Sequence, residues 1–467
     1  MKRRMPLFIS VLLIMVLTAC TSASEVKIMA SDGAAYDQFG YSVSISGDYT
    51  IAGARGDDGV GNASGSAYIW KRDGTGWNEQ AKITASDGKA YDYFGDSVSI
   101  SGDYAIVGAG CDDDNGNASG SAYIWKRDRT GWNEQAKITA SDGKAYDYFG
   151  DSVSISGDYA IVGAPWADDS GDRSGSAYIF EYNGTGWNEQ AKITASDGAA
   201  YDLFGYSVSI SGDHAIVGAQ RDGDNGIRSG SAYIFEYNGT TWNEEAKITA
   251  NDGAEYDYFG ISVSISGDTI IVGAPHDDGS GSSSGSAYIF AYNGTAWNEE
   301  AKITANDGAA YDLFGYSVSI SGDYTIVSAC GDDDNGNLSG SAYIFEYNGA
   351  AWNEQVKITA SDGEEDDQFS CMVSISGDYV LVGAHGEDSR GTLSGSAYIY
   401  DIQTYEPPIT GDLNGDDLLT PADAVIALQM AAGSCEPTTA ADISDGGVVN
   451  SLDALMILQA AVGAIML

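Results

Sequence analysis

The side chains best suited to chemistry form two runs of oxygen-bearing residues near the C-terminus, residues 412–423 and 442–453. In the first run, side-chain oxygens stand at loop positions 1, 3, 5, 9 and 12, and a backbone carbonyl is available at position 7. A twelve-residue loop with this spacing can supply the six to eight oxygen ligands that Ca²⁺ takes. The sequence therefore predicts a calcium-binding loop.

The second run repeats this frame with one carboxylate displaced. Its fifth position is Gly446, and the aspartate stands at the fourth position as Asp445. Side chains at neighbouring loop positions point in different directions. We therefore expect this loop to lose a ligand and to bind Ca²⁺ more weakly than the first.

Each run is followed by a helical pattern, over residues 424–432 and 454–462. Each pattern carries an apolar stripe that we expect to pack against the other. The two stripes comprise Val425, Leu428, Ala432, Leu455, Leu458 and Val462. These two loop-helix units predict a small α-helical domain at residues 412–463, held together by metal. A proline-containing linker precedes it at residues 401–411.

The two units also share sequence motifs, DLNGDD and TPADA in the first and VVNSLDA in the second. With these motifs the pair resembles a type I dockerin, the module that binds cohesin domains in cellulosome-like assemblies. The resemblance implies Ca²⁺ as the cofactor, a cohesin-bearing protein as the partner and polysaccharide breakdown as the setting. The implied ligands are Asp412, Asn414, Asp416, the carbonyl of Leu418, Thr420 and Asp423, then Asp442, Ser444, the carbonyl of Val448, Asn450 and Asp453.

Most of the chain is one unit of 55 residues that occurs seven times between residue 30 and about residue 400. Each unit holds four short runs of alternating or β-branched residues bounded by Gly, Asn or Asp, which predicts four antiparallel strands. One such sheet cannot bury both faces, whereas seven arranged radially bury each sheet against its neighbours. We therefore predict an all-β fold over residues 25–400, a seven-bladed β-propeller of four-stranded blades.

The chain ends predict how the ring closes. The Trp-Asn-Glu strand occurs only six times, the last unit stops at Tyr400, and residues 25–29 form an orphan copy of the missing strand. We expect this N-terminal strand to complete the seventh blade, because closure hides the edges that an open array would expose.

Six units carry a Phe-Gly pair before their first strand, and residues 162–165 and 272–275 read Val-Gly-Ala-Pro. The pairs begin at Phe39, Phe94, Phe149, Phe204, Phe259 and Phe314. With these motifs the units resemble the FG-GAP family, which includes the integrin α-subunit propellers. The resemblance is specific for the fold and weaker for function, since one scaffold hosts many activities. The seventh unit departs from the pattern with Phe369-Ser370.

Near-identical repeats allow variation to be compared within the chain. The two positions after the second strand change chemistry from unit to unit, while the flanking strands hardly change. These loops lie on one face and form the candidate surface for a glycan or protein ligand, although exposed turns also drift freely. The candidate residues are Arg55, Trp166, Gln220, Arg221, His276 and His385.

The same loops carry alternate aspartates before a glycine in three units. Such a pattern can chelate Ca²⁺, and Asp-Gly turns that only reverse the chain explain it equally well. The candidate ligands are Asp112, Asp114, Asp222, Asp224, Asp332 and Asp334.

The innermost strands are near-copies, so we expect identical residues to ring the central channel and predict no catalytic residues. The histidines His214, His276 and His385 lie in different units and are interpreted as surface substitutions. Cysteines 111, 330, 371 and 435 show neither the spacing of metal ligands nor a fixed position in the repeat. An exported protein could pair some of them in disulfides, but a fold of this size needs no disulfide.

The N-terminus predicts export. Three basic residues precede an apolar run over residues 7–17, as in a secretory signal. The end of this run, Leu-Thr-Ala-Cys, looks like a lipobox; residues 1–19 would then be a lipoprotein signal peptide and Cys20 would carry lipid. The alternative is an ordinary signal peptide. The net charge of −46 repels phosphate backbones, so nucleic acid binding is not expected.

Together these features predict a non-catalytic binding or adhesion protein that is extracellular and held at the cell surface by lipid only. Its calcium-dependent tail would dock a cohesin-bearing partner. The alternatives are a polysaccharide-degrading enzyme, or a subunit of a cellulosome-like complex, and a structural adhesin that binds protein.

Overall fold

The structure is a computed structural model that describes residues 25–403, 419–431 and 451–461, without the side chains of Ala422 and Asp453. These residues form seven four-stranded antiparallel sheets and two helices. Neither helix is long and apolar enough to cross a membrane, a finding that covers the described residues only.

The first strand, β1 (Val26–Ile28), stands apart from its chain neighbours, and the next 24 strands form six blades in chain order. Blade 1 comprises β2 (Phe39–Ser46), β3 (Tyr49–Ala54), β4 (Ser66–Asp73) and β5 (Gly76–Ile83). Blade 2 comprises β6 (Val98–Ser101), β7 (Tyr104–Ala109), β8 (Ser121–Asp128) and β9 (Gly131–Ile138). Blade 3 comprises β10 (Ser152–Ser156), β11 (Tyr159–Ala164), β12 (Ser176–Tyr182) and β13 (Trp187–Ile193).

The remaining blades repeat this order. Blade 4 comprises β14 (Ser207–Ser211), β15 (His214–Ala219), β16 (Ser231–Tyr237) and β17 (Trp242–Ile248). Blade 5 comprises β18 (Val263–Ser266), β19 (Thr269–Ala274), β20 (Ser286–Tyr292) and β21 (Trp297–Ile303). Blade 6 comprises β22 (Phe314–Ser321), β23 (Tyr324–Ala329), β24 (Ser341–Tyr347) and β25 (Trp352–Ile358). Blade 7 comprises β26 (Phe369–Ser376), β27 (Tyr379–Ala384), β28 (Ser396–Asp401) and the N-terminal β1.

The seventh blade closes the ring as the sequence predicts. β1 pairs antiparallel with β28, with Val26 opposite Ile399 and Ile28 opposite Ala397. The first strands of adjacent blades contact each other around the whole circle, including β26 against β2. The seven-bladed propeller is therefore a closed ring.

The innermost strands explain why each unit reads Ser-Val-Ser-Ile-Ser. The valines and isoleucines are buried between blades, and the serines accept hydrogen bonds from the inner strand of an adjacent blade. The Ile100 N–H donates to Ser44 Oγ at 3.1 Å, and the same bond closes the ring from the Ile45 N–H to Ser374 Oγ at 3.1 Å. Without the serines, the N–H groups on this edge of each blade would have no hydrogen-bond acceptor, because no further strand pairs with the edge.

The Phe-Gly pair positions the start of each blade. Phe39 is fully buried and meets the Tyr68 ring edge-on at 5.6 Å. The following glycine passes close to the preceding blade: at Gly95, φ is +98° and a Cβ would lie 2.4 Å from the Ser66 carbonyl oxygen. In blade 7, Ser370 holds φ at 72° and donates its hydroxyl to the Ser341 carbonyl, while Phe369 stays fully buried. The departure in this unit thus preserves the packing of its phenylalanine.

The two helices, α1 (Pro421–Ala431) and α2 (Ser451–Ala461), contact each other through a different face from the predicted one. The buried residues between them are Ala424, Ala427, Ala454 and Ile457. The predicted stripe is exposed instead, at 53% for Val425, 49% for Leu428, 48% for Leu455 and 39% for Leu458. Small alanines allow close approach of the helices, which explains the difference; Ala432 and Val462 lie outside the described residues.

Candidate functional site

The loops that follow the second strand of each blade and the loops that enter the next blade lie at the same end of the propeller, here called the top face. Backbone hydrogen bonds join the two sets, as between the Tyr91 N–H and the Asn62 carbonyl at 2.9 Å. The predicted ligand residues all follow a second strand and therefore lie on this face, which agrees with the expectation from the sequence.

A ring of exposed tyrosines surrounds the top face. These residues occupy one register of the repeat and hold φ near +70°, an unusual conformation for a bulky residue. They are 48–66% exposed. They comprise Tyr36, Tyr91, Tyr146, Tyr201, Tyr256 and Tyr311, and Asp366 takes the seventh position. The fold thus presents aromatic side chains to solvent at regular intervals.

Blade 3 contains the most developed aromatic cleft. The Trp166 ring lies 5.4 Å from the Tyr148 ring, and the Arg173 guanidinium lies 4.4 Å above Trp166. Tyr146 and the carboxylates of Asp168 and Asp172 complete the lining of a cavity of about 290 Å³. We call this the blade-3 cleft. It combines flat aromatic faces with hydrogen-bonding groups of both charges.

Arg221 and His276 stand, like Trp166, at the second position after the second strand of their blades. They lie in the equivalent clefts of blades 4 and 5. Arg221 lines a cavity of about 510 Å³ together with Tyr201 and Arg228. Its buried Nε has no hydrogen-bond partner among the described residues. His276 lies 5.1 Å from the Tyr258 ring and its Nδ1 is 3.2 Å from Ser283 Oγ; burial lowers the pKa of this histidine.

Arg55, Gln220 and His385 stand at the first position after the second strand of their blades. They lie further in, around the entrance of the central channel. Arg55 forms an ion pair with Asp96 at 3.0 Å and lies 3.5 Å above the Tyr41 ring. His385 meets Tyr41 edge-on at 5.2 Å, and Gln220 lies close enough to Tyr206 to affect the pKa of its hydroxyl. The six predicted residues therefore divide between the clefts and this entrance.

The entrance itself corrects the expectation of identical residues around the channel. In six blades the position after Phe-Gly lines a cavity of about 240 Å³, and this position, which is Cys371 in blade 7, differs from blade to blade. We call these residues the channel mouth: Tyr41, Asp96, Asp151, Tyr206, Ile261, Tyr316 and Cys371. The next position is a serine in six blades and lines the same cavity, so the expectation of identical residues holds there and is wrong at the channel mouth.

Two carboxylates make the channel mouth electrostatically unusual. Burial, with a contribution from the charge of Asp96, raises the pKa of Asp151 to about 8. Burial also raises the pKa of Asp96, although Arg55 opposes that shift. Burial and the charge of Arg55 lower the pKa of His385 to about 4. His385 is thus a largely enclosed neutral group rather than the surface substitution that the sequence suggested.

A lysine lies within each predicted calcium cluster of the propeller. In blade 4 the Lys247 Nζ lies 2.7 Å from Asp197, 2.9 Å from Asp222 and 2.5 Å from Asp224. The same contacts join Lys137 to Asp112 and Asp114, and Lys357 to Asp332 and Asp334. Burial alone would lower the pKa of Lys247, but its carboxylate partners raise it above the usual value. The ammonium therefore takes the position that a cation would need.

Of the ligands predicted in the C-terminal tail, Thr420 and Asp423 can be described in full. The Asp423 carboxylate is buried and accepts hydrogen bonds from the Thr420 N–H at 2.8 Å and its hydroxyl at 3.1 Å. The two candidate ligands thus lie together at the start of α1. The other tail ligands lie outside the described residues or side chains, namely Asp412, Asn414, Asp416, Leu418, Asp442, Ser444, Val448, Asn450 and Asp453; so does Cys20.

Comparisons with solved structures give neighbours of low sequence identity. Similar folds occur in a structure described as a mitotic checkpoint complex, at 13% identity and a TM-score of 0.49, covering 83% of this chain and 95% of that chain. Another is Sqt1 of Saccharomyces cerevisiae, at 11% identity and a TM-score of 0.41, covering 81% and 99%. A search of curated proteins finds no match.

The family comparison is specific. The model of the FG-GAP repeat matches seven segments, namely residues 23–70, 77–125, 132–180, 187–235, 242–290, 297–345 and 352–400. These segments span nearly the whole propeller and more than half of the chain. The chain therefore belongs to the FG-GAP repeat family.

Proposed function

We propose that the protein is a non-catalytic binding or adhesion protein that uses the top face of the propeller to hold a glycan at the cell surface. The observation that carries this proposal is the blade-3 cleft, where Trp166 and Tyr148 lie beside charged groups. Aromatic faces pack against the apolar faces of sugar rings, and carboxylate and guanidinium groups hydrogen-bond hydroxyls. The surrounding tyrosine ring would extend contact along a polymer.

A binding assay on the full chain tests this proposal. We expect binding to glycans on a mixed cell-wall array, and Trp166→Ala should weaken it at least tenfold by isothermal titration. Thr185→Ala is the matched control, because Thr185 lies in the same blade, in the β12–β13 hairpin at the opposite end. Binding to surface proteins but to no glycan would instead favour the structural adhesin. Equal loss in both variants would contradict a site in the cleft.

The tail supports a second part of the proposal, calcium-dependent docking of a cohesin-bearing partner. The exposed Val425, Leu428, Leu455 and Leu458 form an apolar surface on two helices that already pack through their alanines. Such a surface suits a protein partner. We expect a cohesin to capture the full chain with Ca²⁺ and to release it with EDTA. Asp423→Ala should abolish capture and Asp168→Ala should not; capture that EDTA leaves unchanged would contradict calcium dependence.

The proposed location is outside the cell, with membrane attachment through lipid on Cys20. The signal-like N-terminus supports it, and the strongly acidic composition suits a secreted protein that binds no nucleic acid. A clickable fatty acid should label the wild-type protein and not Cys20→Ala. Labelling that is equal in the two proteins would contradict the anchor.

The channel mouth favours one alternative function, a polysaccharide-degrading enzyme. Glycoside hydrolysis uses two carboxyl groups in one cleft, one of them with a raised pKa, and Asp151 and Asp96 share these features. Release of sugar from plant or microbial polysaccharides by the wild-type chain, lost in Asp151→Asn, would support the enzyme over the binding protein.

A further inference from the structure

Two registers of the repeat meet across blade boundaries at the channel mouth. The first residue after the second strand of one blade lies against the channel-mouth residue of the next blade. Arg55 of blade 1 pairs with Asp96 of blade 2 in this way at 3.0 Å. At the boundary between blades 2 and 3, a Cβ on Gly110 would lie 2.7 Å from Asp151 Oδ1. At these two boundaries the positions are therefore close enough for their side chains to touch.

At the boundary between blades 6 and 7, both positions are cysteines. Cys330 follows β23, and Cys371 stands in β26. Both are free thiols in the structure, and Cys330 lies close enough to Cys371 to raise the pKa of that thiol. Cys330 is only 7% exposed. The two cysteines thus occupy repeat registers that converge, which the sequence pattern did not indicate.

We propose that Cys330 and Cys371 form a disulfide that links blade 6 to blade 7. The pairing rests on the contact above, and its occurrence in the cell rests on the proposed export, because disulfides persist in oxidising compartments. Blade 7 also contains β1, so the bond would fasten the blade that joins the two ends of the propeller.

The reaction requires a disulfide-containing oxidant. The Cys330 thiolate attacks the oxidant and releases one thiol; the Cys371 thiolate then attacks the Cys330 sulfur, forms the Sγ–Sγ bond and releases the second thiol. The two cysteines lose two protons and two electrons, and the oxidant's disulfide becomes two thiols. The neighbouring Cys330 thiol, followed by burial, raises the pKa of Cys371, so we expect the disulfide to form during folding rather than after it.

Peptide mapping of the full chain tests the proposal independently of the cell. The reduced chain is unfolded, refolded with reduced and oxidised glutathione, alkylated and digested with trypsin. We expect the peptides spanning residues 303–357 and 358–390 to be linked, and Cys111 to be alkylated. Reduction should lower the Tm of the wild-type chain by about 5 °C.

Variants keep the test decisive. Reductant should leave the Tm of Cys330→Ser and of Cys371→Ser unchanged, whereas Cys111→Ser should respond as the wild type does. Alkylation of both Cys330 and Cys371 after refolding, or their pairing with other cysteines, would overturn the proposal. Linked peptides after refolding but free thiols in the cell-derived protein would overturn the bond's occurrence in the cell, and with it the proposed export, while the glycan assay would be unaffected.

Discussion

The protonation of Asp151 at the channel mouth makes the stability of the fold depend on pH. Its pKa is raised to about 8 in the folded protein, so the fold binds a proton that the unfolded chain releases near its ordinary pKa of 3.8. Stability from this group is therefore full below pH 4 and falls as the pH rises to about 8.

A neutral replacement should remove that dependence. We expect Asp151→Asn to match the wild type in stability near pH 4 and to exceed it above pH 8 by at least about 1.4 kcal/mol, the equivalent of one pKa unit. Urea unfolding across this range provides the measurement. Parallel pH profiles for the two proteins would show that folding does not shift the pKa of Asp151.

Lys247 determines whether its three carboxylates can hold a metal. We expect Lys247→Met to lose about 3 kcal/mol, because three carboxylates lose their common partner, and to regain much of the loss with millimolar Ca²⁺. Lys302→Met is the matched control, since Lys302 pairs with two carboxylates rather than three, those of Asp252 and Asp277, among the described residues. Thermal melts with and without Ca²⁺ give the answer; an equal response of wild type and both variants would exclude a site created by removing the lysine.

Variation among the repeats predicted Trp166 and the other residues after the second strand, because those positions differ while their strands do not. The same comparison could have found Asp96 and Asp151. Their importance was not evident because it depends on ring closure, which directs that register into the channel. The lysine within each aspartate cluster is nearly invariant and therefore gave no signal of this kind.

Among the elements, the Phe-Gly turn offers a direct measure of close packing between blades. We expect Gly95→Ala to cost at least about 3 kcal/mol, because it combines a positive φ with overlap on the Ser66 carbonyl. Gly102→Ala should cost about 1 kcal/mol, since Gly102 also has a positive φ, +59°, but nothing within 4 Å. Denaturant unfolding compares them, and equal losses would contradict the role assigned to the carbonyl contact.

The strands were predictable from alternation and turn residues, whereas the contact face of the helices was not. In α1 the apolar positions suggested Val425 and Leu428, but the helices meet through Ala424 and Ala427. Hydrophobicity alone does not distinguish a large side chain that faces a partner from a small one that lets two helices approach.

For the whole molecule, closure by β1 should contribute strongly to stability. We expect deletion of residues 1–29 to lower the Tm by about 10 °C or more and to cause self-association, because β28 becomes an exposed edge. Deletion of residues 1–24 retains β1 and should leave both properties unchanged. Calorimetry and size-exclusion chromatography measure them; similar behaviour of the two truncations would show that the ring does not depend on this strand.

The closure was predictable because the last unit lacks a strand and the N-terminus carries an unpaired strand of similar sequence, a feature that no single unit contains. Its consequence is mechanical. Val26 and Ile399 lie opposite each other at one end of an antiparallel pair, so a pull on the two ends of the propeller would load that pair from one end. The hydrogen bonds between β1 and β28 would then break one after another, and β1 would be the first strand to detach under tension.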